Sequence, residues 1–196
     1  MLRERLGKEL IYFDGGMGTL LQEKGLAPGE LPETWNLTHP EEIREIHRRY
    51  IEAGSDIVLT NTFGANALKF HDEDCTLEEI VKSAVSHVKA AASAVTGAED
   101  GVSSETGAGA ENSSAGNGRK VYTALDVGPT GKLLKPMGDL EFEAAYEAFK
   151  EVMILGEQAG ADLIHIETMS DTYELKAAVL AAKENTSLPV TATVIF

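Results

Sequence analysis

The sequence predicts an α/β fold of parallel strands, and three observations carry that expectation. Short apolar runs alternate with amphipathic segments along nearly the whole chain. The apolar runs have no polar side, as strands do when helices cover both faces of their sheet. The chain has 196 residues, enough for most of a barrel of eight strand–helix units, which usually takes about 250. Each crossover between parallel strands is right-handed, so successive units wind in one direction and can close into a barrel. A doubly wound open sheet is the alternative.

The first apolar run, Leu10-Ile11-Tyr12-Phe13, reads as a buried strand closing on Asp14 and a glycine-rich turn. A short helix over 19–24 ends at Gly25, and a loop with Pro28, Gly29 and Pro32 leads to Trp35. Thr38-His39-Pro40-Glu41 opens the next helix: Thr38 or His39 sits at the cap, Pro40 in the first turn, and Glu41 and Glu42 favour the positive end of the dipole. Ile43, Ile46, His47, Tyr50 and Ile51 form its buried stripe, and Gly54 ends it. A strand at 56–60 follows, then a helix over about 76–95 and a strand at 121–125. A helix over 140–159, a strand at 162–166, a helix over about 172–184 and a strand at 190–195 complete the series. The total is about five strands and four main helices in strict alternation.

One segment breaks the pattern. Residues from about 96 to 118 are almost wholly Gly, Ala, Ser, Thr, Glu, Asp and Asn. Such a stretch buries too little apolar surface to offset its ordering entropy, so it is expected to be a disordered insertion within a single domain spanning 1–196.

Composition narrows the partners. A net charge of −15, from 32 acidic against 17 basic residues, repels phosphate backbones and anionic membrane surfaces. Arg44, Arg48 and Arg49 cluster, but beside Glu41, Glu42 and Glu45 in a helical pattern, which reads as a solvated face. The lone Cys75 excludes an internal disulfide, and no run reaches the ~18 apolar residues of a membrane span. Neither nucleic acid nor membrane is an expected partner, and a cytoplasmic location is.

In parallel α/β folds the loops at the carboxyl ends of the strands build the active site. Here those loops are small and polar: Asp14-Gly15-Gly16-Met17-Gly18-Thr19, Asn61-Thr62-Phe63-Gly64-Ala65-Asn66, Asp126-Val127-Gly128-Pro129-Thr130-Gly131 and Glu167-Thr168-Met169-Ser170-Asp171. Backbone N–H groups bared by Gly15 and Gly16 can receive a carboxylate, while Asp14 and Glu167 can receive an ammonium. That combination suits a zwitterionic amino acid. The same two acids can instead serve general acid–base chemistry, or merely cap a turn and a helix.

Other motifs fail. Leu21 stands where a dinucleotide fingerprint needs its third glycine, and no Walker loop occurs. His71, Asp72, Glu73, Asp74 and Cys75 lie together without metal-ligand spacing, and His39, His47, His87 and His165 are scattered. No metal ligand and no catalytic residue is assigned.

These four loops, in order and spacing, resemble the homocysteine S-methyltransferase family, and within it the homocysteine-binding barrel of the bacterial cobalamin-dependent methionine synthases. The resemblance covers the chain apart from the insertion. It implies a partial (β/α)8 TIM barrel whose complete form binds homocysteine and activates its thiol on zinc, with methyl transfer through cobalamin recharged from methyltetrahydrofolate. It assigns Asp14, Gly15 and Gly16 to homocysteine and Glu167 to its amino group, with Asn61 and Thr62 lining the same mouth. The family's zinc-binding cysteines lie on later strands, beyond residue 196, and Cys75 is not one of them. The chain therefore reads as C-terminally truncated and inactive alone, its partners being homocysteine, the remaining barrel and the cobalamin and folate domains of the full-length enzyme. The competing reading is a non-catalytic α/β module that binds a small molecule or a partner.

Overall fold

The computed structural model describes residues 2–70, 74–97 and 119–196. Four strands, β1 (Ile57–Leu59), β2 (Tyr122–Val127), β3 (Leu163–Met169) and β4 (Val190–Val194), form one sheet in the order β1-β2-β3-β4. Every pair is parallel. The helices are α1 (Leu2–Arg5), α2 (Gly18–Glu23), α3 (Trp35–Thr38), α4 (Pro40–Ala53), α5 (Leu77–Thr96), α6 (Phe142–Gln158) and α7 (Thr172–Asn185), with a 3-10 turn at Pro32–Thr34. The four main helices expected from periodicity are α4 to α7, and each connects parallel strands or precedes one.

The first expected strand is reduced to a bridge. Phe13 pairs in parallel with Ile57, the Tyr12 carbonyl accepts from the N–H groups of Asp56 and Ile57, and Asp14 donates its N–H to the Ile57 carbonyl. A longer ladder does not form because β1 has three residues, and because the Tyr12 N–H donates to the Asp56 carboxylate at 3.0 Å instead. The Arg5 guanidinium donates to the other Asp56 oxygen at 3.0 Å, so one carboxylate ties both α1 and the first segment to the sheet.

The sheet's two faces separate cleanly, as the period-two alternation of strands requires. Leu125, Val127, Ile164 and Ile166 pack against Ile80, Val81 and Val85 of α5, Phe149, Val152 and Met153 of α6, and Ala177, Ala178 and Ala181 of α7. Ile57, Tyr122, Ala124 and Leu163 face the other way and meet Leu2, Ile11 and Leu59. Helix α6 sits so close that a Cβ on Gly156 would lie 2.4 Å from a Leu125 methyl.

Helix ends follow local chemistry. His39 caps α4 with Pro40 at its first position, and Thr76 and Glu79 form a reciprocal capping box on α5. Gly97 ends α5 at a left-handed φ of 68°. Thr96 and Gly97 thus belong to the end of a helix, and the rest of the segment expected from about 96, residues 98–118, lies outside the described residues, as do His71, Asp72 and Glu73.

Between α4 and α5 lies a buried liability. His47 is fully enclosed, and neither ring nitrogen has a hydrogen-bond partner among the described residues. Burial, with a smaller push from His87, drives its pKa down to about 3. In the unfolded chain the ring takes up its proton near 6.5. The fold therefore loses stability as pH falls below about 6.5, and at pH 5 this ring alone removes about 2 kcal/mol. His47→Leu is expected to raise the melting temperature and to flatten its decline between pH 6.5 and 5. Thermal melts across pH check this; a variant as acid-labile as the parent would assign the lability elsewhere.

Candidate functional site

Parallel pairing in sequence order brings the carboxyl ends of all four strands to one rim, and the polar loops gather there. At the first position Asp14 places Oδ2 on the Leu59 N–H at 3.0 Å, so its carboxylate is fastened to β1 rather than to its own turn. Its Oδ1 is buried with no partner among the described residues. Gly15 and Gly16 are exposed, and the Tyr50 hydroxyl donates to the Gly16 carbonyl at 3.1 Å. A Cβ on Gly15 would stand 2.8 Å from that hydroxyl, so this glycine serves close approach, not an unusual φ.

The second loop is locked from within. Thr60 and Thr62 share a hydroxyl hydrogen bond of 2.7 Å; Thr62 donates to the Asp126 carbonyl and Thr60 accepts the Asp126 N–H. Asn61 donates to the Pro32 carbonyl at 2.7 Å, and its own carbonyl accepts from Asn36. Glu33, buried in the 3-10 turn, accepts the Gly64 N–H at 2.6 Å. Asn61 and Thr62 are both buried, and their side chains hold the wall of the rim together.

Glu167 stands at the end of β3, half-buried. The β3–β4 register breaks between Ile166 and Met169, and Thr168 inside the break has φ 58°. A β-branched residue in that region is strained, at a cost of about 1–3 kcal/mol. The Thr168 N–H donates to the Thr193 hydroxyl at 2.9 Å, which ties the irregular stretch beside Glu167 to β4. Helix α7 is capped by Asp171, whose carboxylate accepts the Tyr173 N–H at 2.7 Å, so Glu167 has no capping duty.

The acids feel one another. Burial pushes the Asp14 carboxyl up to about 7, against the pull of its Leu59 hydrogen bond and with a further push from Glu167. Burial raises Glu167 as well. Asp126 is driven well above the ordinary carboxylate range by burial first, then by Glu167, Asp14 and Glu33. Tyr50 is raised by burial and by Asp14. The acids at this mouth hold their protons more tightly than exposed carboxyls do, and a cationic group beside them would favour their ionised forms.

Residues 11–196 match the sequence profile of a family described as homocysteine S-methyltransferase. The chain belongs to that family. Among its relatives, methionine synthase of Mycobacterium leprae (strain TN) is 30% identical over 190 residues, and that of Mycobacterium tuberculosis (strain ATCC 25618 / H37Rv) is 31% identical over 188. Each match covers 93% of this chain and 14% of the relative, so the chain spans about a seventh of the curated relatives it matches. The fold resembles the homocysteine methyltransferase MmuM from Escherichia coli. Its metallated form aligns with TM-score 0.74 at 23% identity over 100% of this chain and 66% of that one, and its apo form with TM-score 0.69 at 23% identity over 98% and 63%. The four-stranded parallel sheet is accordingly part of a (β/α)8 barrel.

In this homocysteine S-methyltransferase barrel, Asp14 and Glu167 stand at the same rim, Asp14 next to the Gly15-Gly16 turn, and Glu167 adds to the rise in the proton affinity of Asp14. Sequence reasoning quoted Asp126 at the head of the third loop without giving it a role, and passed over Glu33. The parity of β2 contains a signal for the first: Asp126 follows Tyr122 and Ala124 on the inner face. Nothing local marks Glu33, whose burial requires the 3-10 turn to fold over the 61–66 loop. The described residues do not fit zinc. No group of three or more His, Cys, Asp or Glu among the described residues could hold a metal ion, and Cys75 packs half-buried against the helix core. Likewise, no helix among the described residues is long and apolar enough to cross a membrane.

The third loop tests how tightly the rim is built. A Cβ on Gly128 would lie 2.6 Å from both the ring and the carbonyl oxygen of Phe63, and the Gly128 N–H already donates to that oxygen at 3.0 Å. Backbone cannot yield as a side chain can. Gly128→Ala is expected to destabilise the fold by about 1–3 kcal/mol, read as a lower urea midpoint with unchanged slope; a neutral midpoint would mean the two loops are not in contact.

Proposed function

We propose that this chain is the substrate-grasping part of a homocysteine S-methyltransferase of the methionine synthase type. The observation that supports it is two carboxyl groups of raised proton affinity, Asp14 and Glu167, at one rim with a turn of exposed backbone. Two carboxylates with raised proton affinity accept an ammonium between them, which removes their mutual repulsion. The N–H groups of Gly15 and Gly16 receive the substrate carboxylate. Asn61 and Thr62 contribute by fixing the loop that walls the pocket.

Thiol activation on zinc is assigned to ligands outside residues 1–196, and no step of it to the residues described. The methyl donor system, cobalamin recharged from methyltetrahydrofolate, belongs to further domains of a complete enzyme, as does the remainder of the barrel. The isolated chain is expected to bind substrate without transferring methyl, in the cytoplasm.

Charge-assisted hydrogen bonds contribute about 1.5–3 kcal/mol each. Glu167→Gln and Asp14→Asn are therefore each expected to weaken homocysteine binding by about 10- to 100-fold, measured by calorimetry on the chain. An analogue without the amino group, 4-mercaptobutyrate, should bind weakly to the parent and no more weakly to Glu167→Gln. Equal losses for both ligands would place the ammonium elsewhere. A well-folded parent that binds no homocysteine favours the competing module reading.

A further inference from the structure

We propose that Asp126 is the proton-holding floor of this pocket: its carboxyl group is neutral in the ligand-free chain, and the ammonium of a bound amino acid displaces its proton to solvent. The inference rests on the amino-acid-binding reading above and adds a group and a proton that the reading does not contain.

Geometry places Asp126 under the mouth. It pairs in register with His165, two residues before Glu167 on the same strand, so it lies one layer deeper than Glu167 on the inner face of the sheet. It is 7% exposed, and its Oδ1 is buried with no partner among the described residues. Its main chain is fully committed to Thr60 and Thr62, so the residue is held in place whatever its charge.

Three other carboxyl groups act on it: Glu167 of β3, Asp14 of the first loop and Glu33 of the 3-10 turn each raise its proton affinity after burial. His165, its neighbour on β3, is held by burial in the neutral form, with Nδ1 on the Thr191 hydroxyl at 2.8 Å. Tyr50 of α4 faces Asp14. Lys69 lies over the Phe63 ring, 5.0 Å from its centroid, and no Lys or Arg bridges any of the four carboxylates among the described residues. An ionised carboxylate buried beneath two others, with one oxygen unpaired, is costly, and protonation removes the cost. The raised proton affinity of Asp126 agrees with this arrangement.

An ammonium entering between Asp14 and Glu167 reverses the balance. Its positive charge favours the ionised form of every carboxyl nearby, so the Asp126 O–H bond breaks heterolytically and the proton passes to buffer. No bond forms to the ligand, and its nitrogen keeps its three protons.

Calorimetric titration of the full chain with methionine tests this, because methionine carries the same ammonium and carboxylate without a thiol proton. Repeating it at pH 7 in buffers of different protonation enthalpy counts the protons. Between about one and two protons are expected to leave per ligand bound, one from Asp126 and a fraction from Asp14, with affinity rising about tenfold or more per pH unit while the pocket stays protonated. Asp126→Asn should cut the release by at least half and flatten that slope. Should the variant fold poorly, carbon-13 NMR of the parent's Asp126 carboxyl decides: it should titrate above pH 7 in the free chain and below it with saturating methionine. Binding without proton release, or an Asp126 carboxyl already ionised at pH 7 in the free chain, overturns the proposal and leaves the pocket reading standing. Failure of both methionine and homocysteine to bind overturns the pocket reading, and this inference with it.

Discussion

The parallel pairing of consecutive strands is the constraint on which the rest of the molecule depends. Because β1 to β4 run the same way in sequence order, every strand delivers its carboxyl end to one rim, and loops distant in the chain become neighbours. Asp14 and Glu167 are 153 residues apart in numbering, yet Glu167 adds to the rise in the proton affinity of Asp14. Helix α6 enforces the geometry from outside: at Gly156 it approaches β2 so closely that the strand has no room to shift.

Polar residues at that rim divide into two kinds. Some are spent on the scaffold. Thr60, Thr62, Asn61 and Glu33 satisfy one another and the surrounding backbone, and Glu174 accepts from the N–H and hydroxyl of Thr130 to fasten the third loop to α7. Others are left with unfilled capacity. Asp14 and Asp126 each keep a buried oxygen without a partner among the described residues, as Asn36 keeps an oxygen and His47 its ring nitrogens away from the strand ends, and at the rim a ligand's donor would fill that deficit. Thr168 is the backbone counterpart, a strained residue beside Glu167 that Thr193 holds in place.

Much of this was legible before any coordinates. Periodicity placed α4 to α7 within a few residues of their ends, since burying an apolar stripe and capping a helix are local events that Pro40, Thr76 and Asp171 announce in the sequence. The carboxylates at strand ends were legible for the same reason: Asp14 and Glu167 each close an apolar run. The first strand was over-read. Leu10 to Phe13 has strand character, but whether a run becomes a ladder depends on its neighbour, and the Asp56 side chain takes the N–H that a ladder would have used.

The sequence by itself determined the fold class, the family and the residue types at the mouth, because these follow from hydrophobic period, turn chemistry and motif order. Only the tertiary structure decided which polar groups are spent and which are free. Asn61 and Thr62 turn inward to brace the wall, while Asp126 closes the floor beneath Glu167. The physical reason is that a buried carboxyl group's proton affinity and hydrogen-bond deficit are set by what surrounds it in space. Asp126 owes its surroundings to Asp14, Glu33 and Glu167, which come from three separate parts of the chain.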